Sequence, residues 1–318
     1  MRITELQNAI RKPQKERIRA LLALAMIALM STAATMDALR CALVPEVCAL
    51  LIGLWVQDKQ IWRVSRWQIV LLLPAIALAA VLTVRYLPYG LPLQMALVFA
   101  AVVALLMLLQ STLTPAFAVG LLPVMLGTTT FVYPLAIIAL ALLLTLGQYA
   151  IDAWGLRTPT PLQHAKRHTW SNVARWLALL AALLPLIVAA DMMKLQFIIA
   201  PPLVVTFVEL CNSKGGFRNR LGQTWLMLTL AAAVGSLCRG LLCGMWDAPL
   251  PVATVLTEAL VLVMFALFGK RFAPAAAMAL IPFVMPEQAA AWQPLYTAIG
   301  ATYVIIVVRL LFTKEEEK

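Results

Sequence analysis

The sequence predicts an all-α, polytopic membrane protein of about 12 transmembrane or re-entrant segments in two parallel six-segment repeats, and three observations carry that prediction. First, 63% of the 318 residues are hydrophobic and only 12% are charged, where soluble domains carry roughly 25% charge. Second, the apolar residues fall in long blocks, and about 20 in a row suffice for a helix to cross the ~30 Å hydrocarbon core of a bilayer. Third, three prolines of one half recur in the other at one constant spacing.

Taken in order, a basic segment over 1–19 (Arg2, Arg11, Lys12, Lys15, Arg17, Arg19) runs directly into the first apolar block. No small-residue cleavage site stands out, so this block is expected to stay as a helix. The basic segment before it reads as an amphipathic helix lying on the membrane surface. Blocks bounded by charge, Pro or Gly then lie near 20–38, 42–56, 68–86, 92–109, 115–131 and 133–150. After a basic connector over 151–175 they resume near 176–192, 196–211, 223–242, 250–268, 273–286 and 293–312, followed by a tail over 313–318. The blocks over 115–131 and 273–286 each carry a Pro at the start and another inside (Pro115 and Pro123, Pro274 and Pro282), which marks them as re-entrant or broken helices.

With the N-terminus cytoplasmic, 21 of the 25 Lys and Arg residues fall in loops on one side. The positive-inside rule then places both termini in the cytoplasm, in an inner membrane if the source is bacterial. The net charge of +11 therefore serves topology and contact with anionic lipid rather than nucleic acid. His164 and His168, the two histidines, sit in the connector beside Lys166, Arg167 and Arg175 and read as a solvated basic loop. The five cysteines are scattered without a CxxC pair, so neither they nor the histidines suggest a metal, and no cofactor motif is found.

The repeat is read from Pro92, Pro115 and Pro123, which recur as Pro251, Pro274 and Pro282 at an offset of 159. Pro45 pairs with Pro201 and Trp67 with Trp225 at slightly shorter offsets, as loop lengths drift. Six segments per half make the second half enter the membrane in the same sense as the first, one of the arrangements that secondary transporters use. Duplication for structural reasons alone is the plainer alternative.

Phe197-Ile198-Ile199-Ala200-Pro201-Pro202-Leu203-Val204-Val205-Thr206-Phe207, then the basic turn Lys214 to Arg220, Gly222 and Gly235, resembles the core of the HPP family of membrane proteins. Leu267 to Ala277 is similar to the stretch that carries that family's His-Pro-Pro signature; here the corresponding positions read Phe272-Ala273-Pro274 and, in the first half, Leu113-Thr114-Pro115. The resemblance covers most of 190–290 and recurs faintly in 40–130. It implies a membrane transporter of small anions, nitrite being the anion associated with some members.

Charged residues inside spans are costly and mark function by default. Glu258, near the middle of its block, would bind a cation, relay a proton, pair with a buried base, or simply hold two helices together. Glu46 and Glu209 lie nearer to span ends. The four bases left on the outer side form two pairs of equal spacing, Arg40 with Lys194 and Arg85 with Arg239, each 154 apart, and Asp37 and Asp191 repeat that spacing. They would either ring an outer mouth and concentrate anions or anchor span ends to headgroups. Helices starting at Pro115 and Pro274 would aim their N-termini at whatever precedes them, close to Thr112 and Thr114 or to Lys270 and Arg271. A proline in the first turn is equally an ordinary helix start.

These readings lead to a non-enzymatic transporter or channel for a small solute, an anion, in contact with membrane lipids and compatible with a homo-oligomer. A lipid-modifying membrane enzyme is the alternative, which clustering of Glu46, Glu209 and Glu258 would favour. A third is an assembly subunit, for which a repeat interface without polar lining would speak.

Overall fold

The structure, a computed structural model, describes residues 3–157, 170–212 and 217–312. The connector histidines His164 and His168, with Lys166, Arg167, Lys214 and the tail, lie outside them. Among the described residues every regular element is helical. Eight helices are long and apolar enough to cross a membrane, and four further apolar helices are shorter.

The long helices are α1 (Ile3–Ala34), α3 (Arg66–Tyr86), α4 (Leu91–Leu108), α6 (Val132–Ala153), α7 (Trp170–Met192), α9 (Leu221–Cys238, prolonged by a wide turn to Met245), α10 (Leu250–Phe268) and α13 (Gln293–Val307, prolonged to Phe312). The short ones are α2 (Glu46–Leu51, prolonged to Val56), α5 (Pro115–Leu126), α8 (Pro201–Asn212) and α11 (Ala273–Val284); a single turn, α12 (Glu287–Ala290), precedes α13. Local chemistry sets several of these bounds. Ser65 and Gln68 close a capping box at the start of α3. Gly127 and Gly269, in left-handed backbone at φ 65° and 63°, stop α5 and α10.

The short helices form the interior. Every residue from Glu46 to Val56 is buried, as is every residue of α5 from Pro115 to Met125 and of α11 from Ala273 to Pro282. In α8 only Glu209 and Asn212 reach the surface. These four close a ring in which α2 packs on α11, α11 on α8, α8 on α5 and α5 on α2. The long helices wall it, each burying between 28% and 44% of its apolar stretch. Their outward faces carry large apolar residues such as Leu71, Leu78, Leu135, Leu146, Val263 and Ile306. Apolar stripes of this size facing outward are what lipid, rather than water, accommodates.

The blocks 42–56 and 196–211, expected to cross as ordinary spans, are among these short buried helices. The helical stretches are Glu46–Val56 and Gln196–Asn212, the latter α-helical over its last 12 residues from Pro201, about 17 and 25 Å long at 1.5 Å per residue. Composition cannot separate a segment buried in protein from one bathed in lipid, because both are apolar throughout. The basic N-terminal segment is continuous with the first span, since α1 runs unbroken from Ile3 into the apolar stretch at Gln14–Ala34.

The packing of the two halves corresponds element by element. α3 packs on α4, α5 and α6 as α9 packs on α10, α11 and α13, and α4 packs on α7 as α10 packs on α1. Close approach is secured by small residues, notably Gly235 of α9, where a Cβ would collide with the Ala279 backbone of α11.

Charged contacts gather at one end of the bundle. There Arg19 bonds Asp58 (2.5 Å) and the Gln57 carbonyl (2.9 Å), Arg66 pairs with Asp152 (2.6 Å), Arg271 with Glu16, and Lys15 reaches the Gly155 carbonyl (2.7 Å). Arg157 donates to the Leu54 carbonyl and pairs with Asp152 at 3.1 Å. Burial pushes the Arg157 pKa down from the ordinary arginine value, and the Asp152 carboxylate offsets part of that shift.

Candidate functional site

Two cavities lie at opposite ends of the same four helices. One, of about 410 Å³, is lined by Ala34 of α1, Arg40, Cys41 and Leu43 before α2, Tyr133, Leu250 of α10, and Phe283 and Val284 of α11, with the C-terminal turn of α5 closing its side. The other, of about 870 Å³ at the basic end, is lined by Arg17 and Ala20 of α1, Val56 to Lys59 after α2, Leu262, Phe265 and Ala266 of α10, and Gly269 to Arg271 before α11. Leu250 and Ala266 are 16 residues apart, about 24 Å along a helix, which is most of the ~30 Å hydrocarbon thickness.

Glu258 lies midway. Leu250 near one end of α10 lines the first cavity, Leu262, Phe265 and Ala266 near the other end line the second, and Glu258 lies between them along the helix. Glu258 is 1% exposed and its Oε1 has no hydrogen-bond partner. The Cys48 thiol of α2 meets its carboxyl in position to donate. Two residues earlier on α2, Glu46 is wholly buried; neither of its oxygens meets a donor from another residue, and it too acts on Cys48. Tyr133, in electrostatic reach of Glu46, lines the first cavity and donates through its hydroxyl to the Val119 carbonyl at 2.7 Å. Glu46 of α2 and Glu258 of α10 are thus two buried carboxyls on helices that run between the cavity at Arg40 and the basic one.

Glu209 is held elsewhere. Its Oε1 accepts from the Thr114 hydroxyl (2.6 Å) at the start of α5 and from the Trp62 indole (3.1 Å). The place before Pro115 where an external anion was expected is therefore faced by a carboxylate of the chain itself. Thr112 is tied to the loop after α2, its hydroxyl accepting from the Arg63 amide (2.8 Å). At Pro274 the preceding Lys270 and Arg271 do line a cavity, the basic one. The three glutamates thus do not form one cluster, and among the described residues no three His, Cys, Asp or Glu side chains converge.

The four outer bases also part company. Arg40 lines the first cavity and pairs with Asp37 at 2.8 Å. Lys194, at φ 58°, takes up a left-handed turn closed by its amide on the Asp191 carbonyl. Arg85 lies over the rings of Tyr86 and Phe131, and Arg239 donates to the carbonyls of Pro282 and Met285 at the end of α11.

Sequence reasoning missed Cys48 and Tyr133. Cys48 offers a signal in hindsight, since it lies two residues from a charge inside an apolar block; Tyr133 offers none. Comparison of the chain with protein-family models, with curated proteins and with solved structures finds no match.

Proposed function

We propose that this is a membrane transporter for a small anionic solute, built from two parallel six-segment repeats with both termini on the cytoplasmic side, and that its path runs along α1, α2, α10 and α11. The observation that carries this reading is that α10 reaches a cavity at each of its two ends and carries the buried Glu258 between them. The correspondence of packing between the halves supports the repeat, and the gathering of bases at one end supports calling that end cytoplasmic.

The sign of the solute follows from the basic cavity, where Arg17, Lys59, Lys270 and Arg271 outnumber Glu16 and Asp58. Arg40 supplies a base to the opposite cavity. The anion transport implied by the resemblance to the HPP family agrees with this sign. A membrane enzyme acting on lipid is less well supported, because Glu46 and Glu258 are buried within the helix bundle.

Reconstitution of the purified chain into liposomes and a panel of small inorganic anions and carboxylates tests the proposal. Saturable flux of at least one member is expected, and weaker flux after Lys270→Ala. A flat panel with correctly inserted protein would sink it.

A further inference from the structure

We propose that the basic cavity between α1, α10 and the turn after α2 is a binding site for an acidic phospholipid, whose phosphate is held by Arg17, Lys59 and Lys270 and whose chains lie on the apolar wall beneath them. The proposal goes beyond the transporter reading and stands without it, because the binding is read with no solute present.

The charges of the lining fall into two groups. In the first, Arg19 bonds Asp58 (2.5 Å) and the Gln57 carbonyl (2.9 Å), the Gln57 side-chain amide donates to the Arg271 carbonyl (3.3 Å), and Arg271 pairs with Glu16. These contacts tie α1, the turn after α2 and the approach to α11 into one frame, and they engage both acids of the lining. Arg17, Lys59 and Lys270 form the second group. Among the described residues no carboxylate pairs with any of the three, and Lys270 lies over the Phe217 ring at 5.3 Å. Three cations on one cavity without a counter-charge favour an anion, and a phosphate offers enough acceptor oxygens to meet more than one of them.

The order of residues along the chain adds the second half of the ligand. On each of three segments an apolar lining residue lies toward the middle of the bundle and a base lies toward its end. On α1 these are Ala20 and Arg17, after α2 they are Val56 and Lys59, and on α10 Leu262, Phe265 and Ala266 are followed by Lys270. Charge outward and hydrocarbon inward is the order of a phospholipid in one leaflet. Arg17, Lys59 and Ala266 are exposed, so the cavity opens to the outside of the bundle. Leu21 flanks the opening on α1, and Val263 and Leu267 flank it on α10, exposed by 65%, 56% and 82%. A basic pocket between membrane helices is a setting that anionic headgroups occupy, whereas a bare inorganic anion gains nothing from a hydrocarbon wall.

The test is native mass spectrometry of the full chain in detergent, with phosphatidylglycerol and phosphatidylcholine added in equal amounts. Phosphatidylglycerol is expected to be retained in preference. Lys59→Gln and Lys270→Gln should each weaken its binding about fivefold, the ~1 kcal/mol that one base contributes beside an acidic lipid surface. Ala266→Leu keeps every base and narrows the apolar wall, and should also weaken binding, with the fold checked by size-exclusion profile. Arg63→Gln, at an exposed base of the same turn that does not line the cavity, should leave binding unchanged. Equal retention of phosphatidylcholine, or binding indifferent to all three cavity variants, overturns the proposal. Displacement of the lipid by inorganic phosphate at fixed ionic strength also overturns it, in favour of a free-anion site. Retained phosphatidylglycerol together with a flat anion panel supports the lipid site and sinks the transporter reading; anion flux with no retained lipid does the opposite.

Discussion

The junction of α1 with α10 and the junction of α7 with α4 occupy corresponding places in the two halves, and they are filled by opposite chemistry. At the second, Phe99 of α4, Phe117 of α5 and Trp176 of α7 stack together, with ring centroids 4.7 to 6.4 Å apart. At the first, the residue 159 positions after Phe99 is Glu258, and the residue 159 after Phe117 is Ala276. Moving by 156, as from Pro45 to Pro201, sets Glu46 against Pro202 and Cys48 against Val204. One junction is thus an aromatic plug, and at the other the corresponding positions carry a buried carboxyl and a small residue. The contrast teaches that two halves packed alike need not carry the same side chains at corresponding places.

Substitutions can break or sharpen that contrast. Phe117→Ala removes the centre of the plug and is expected to cost about 3–5 kcal/mol of stability, read from thermal unfolding in detergent, while flux per folded molecule persists. Equal loss of flux from the remaining folded protein would show that the aromatic junction takes part in transport. Glu258→Phe copies the plug into the other junction and should lower flux about 100-fold, equivalent to ~2.7 kcal/mol, with the fold retained as judged by size-exclusion profile. Unchanged flux would remove the path from this junction.

Arg239→Ala leaves the Pro282 and Met285 carbonyls without their guanidinium donor and is expected to cost about 1–3 kcal/mol, so that its effect appears in unfolding and not in solute affinity. Arg85→Ala, at an exposed residue resting on Tyr86 and Phe131, should change stability by no more than about 0.5 kcal/mol and leave flux as it was. A lower affinity for the anion in Arg85→Ala would revive the ring of bases at the mouth.

Much of the helical framework was legible in the sequence, because apolar blocks, prolines and loop charges are local signals. Each of the twelve blocks coincides with a helix, and Pro115 and Pro274 do begin short ones. What stayed hidden was depth. The blocks around Val47 and Val204 read as spans, but they lie in the interior ring, and hydropathy has no term for which apolar partner a residue meets. The site was legible by half: Glu258 stood out as a charge amid apolar residues, whereas its meeting with Cys48 joins residues 210 positions apart. Glu209 shows the reverse, a charge equally visible in the sequence that the fold satisfies with Thr114 and Trp62.

The exchange of wall helices, α1 onto α10 and α7 onto α4, has a consequence for biogenesis. α1 leaves the ribosome long before α10, the wall helix it packs on, has been made. Until then the Arg19 end of α1 and the nascent interior ring must be held at the insertion machinery or shielded by lipid, so a chain truncated before α10 should be an orphan, cleared by quality control, and not a stable half.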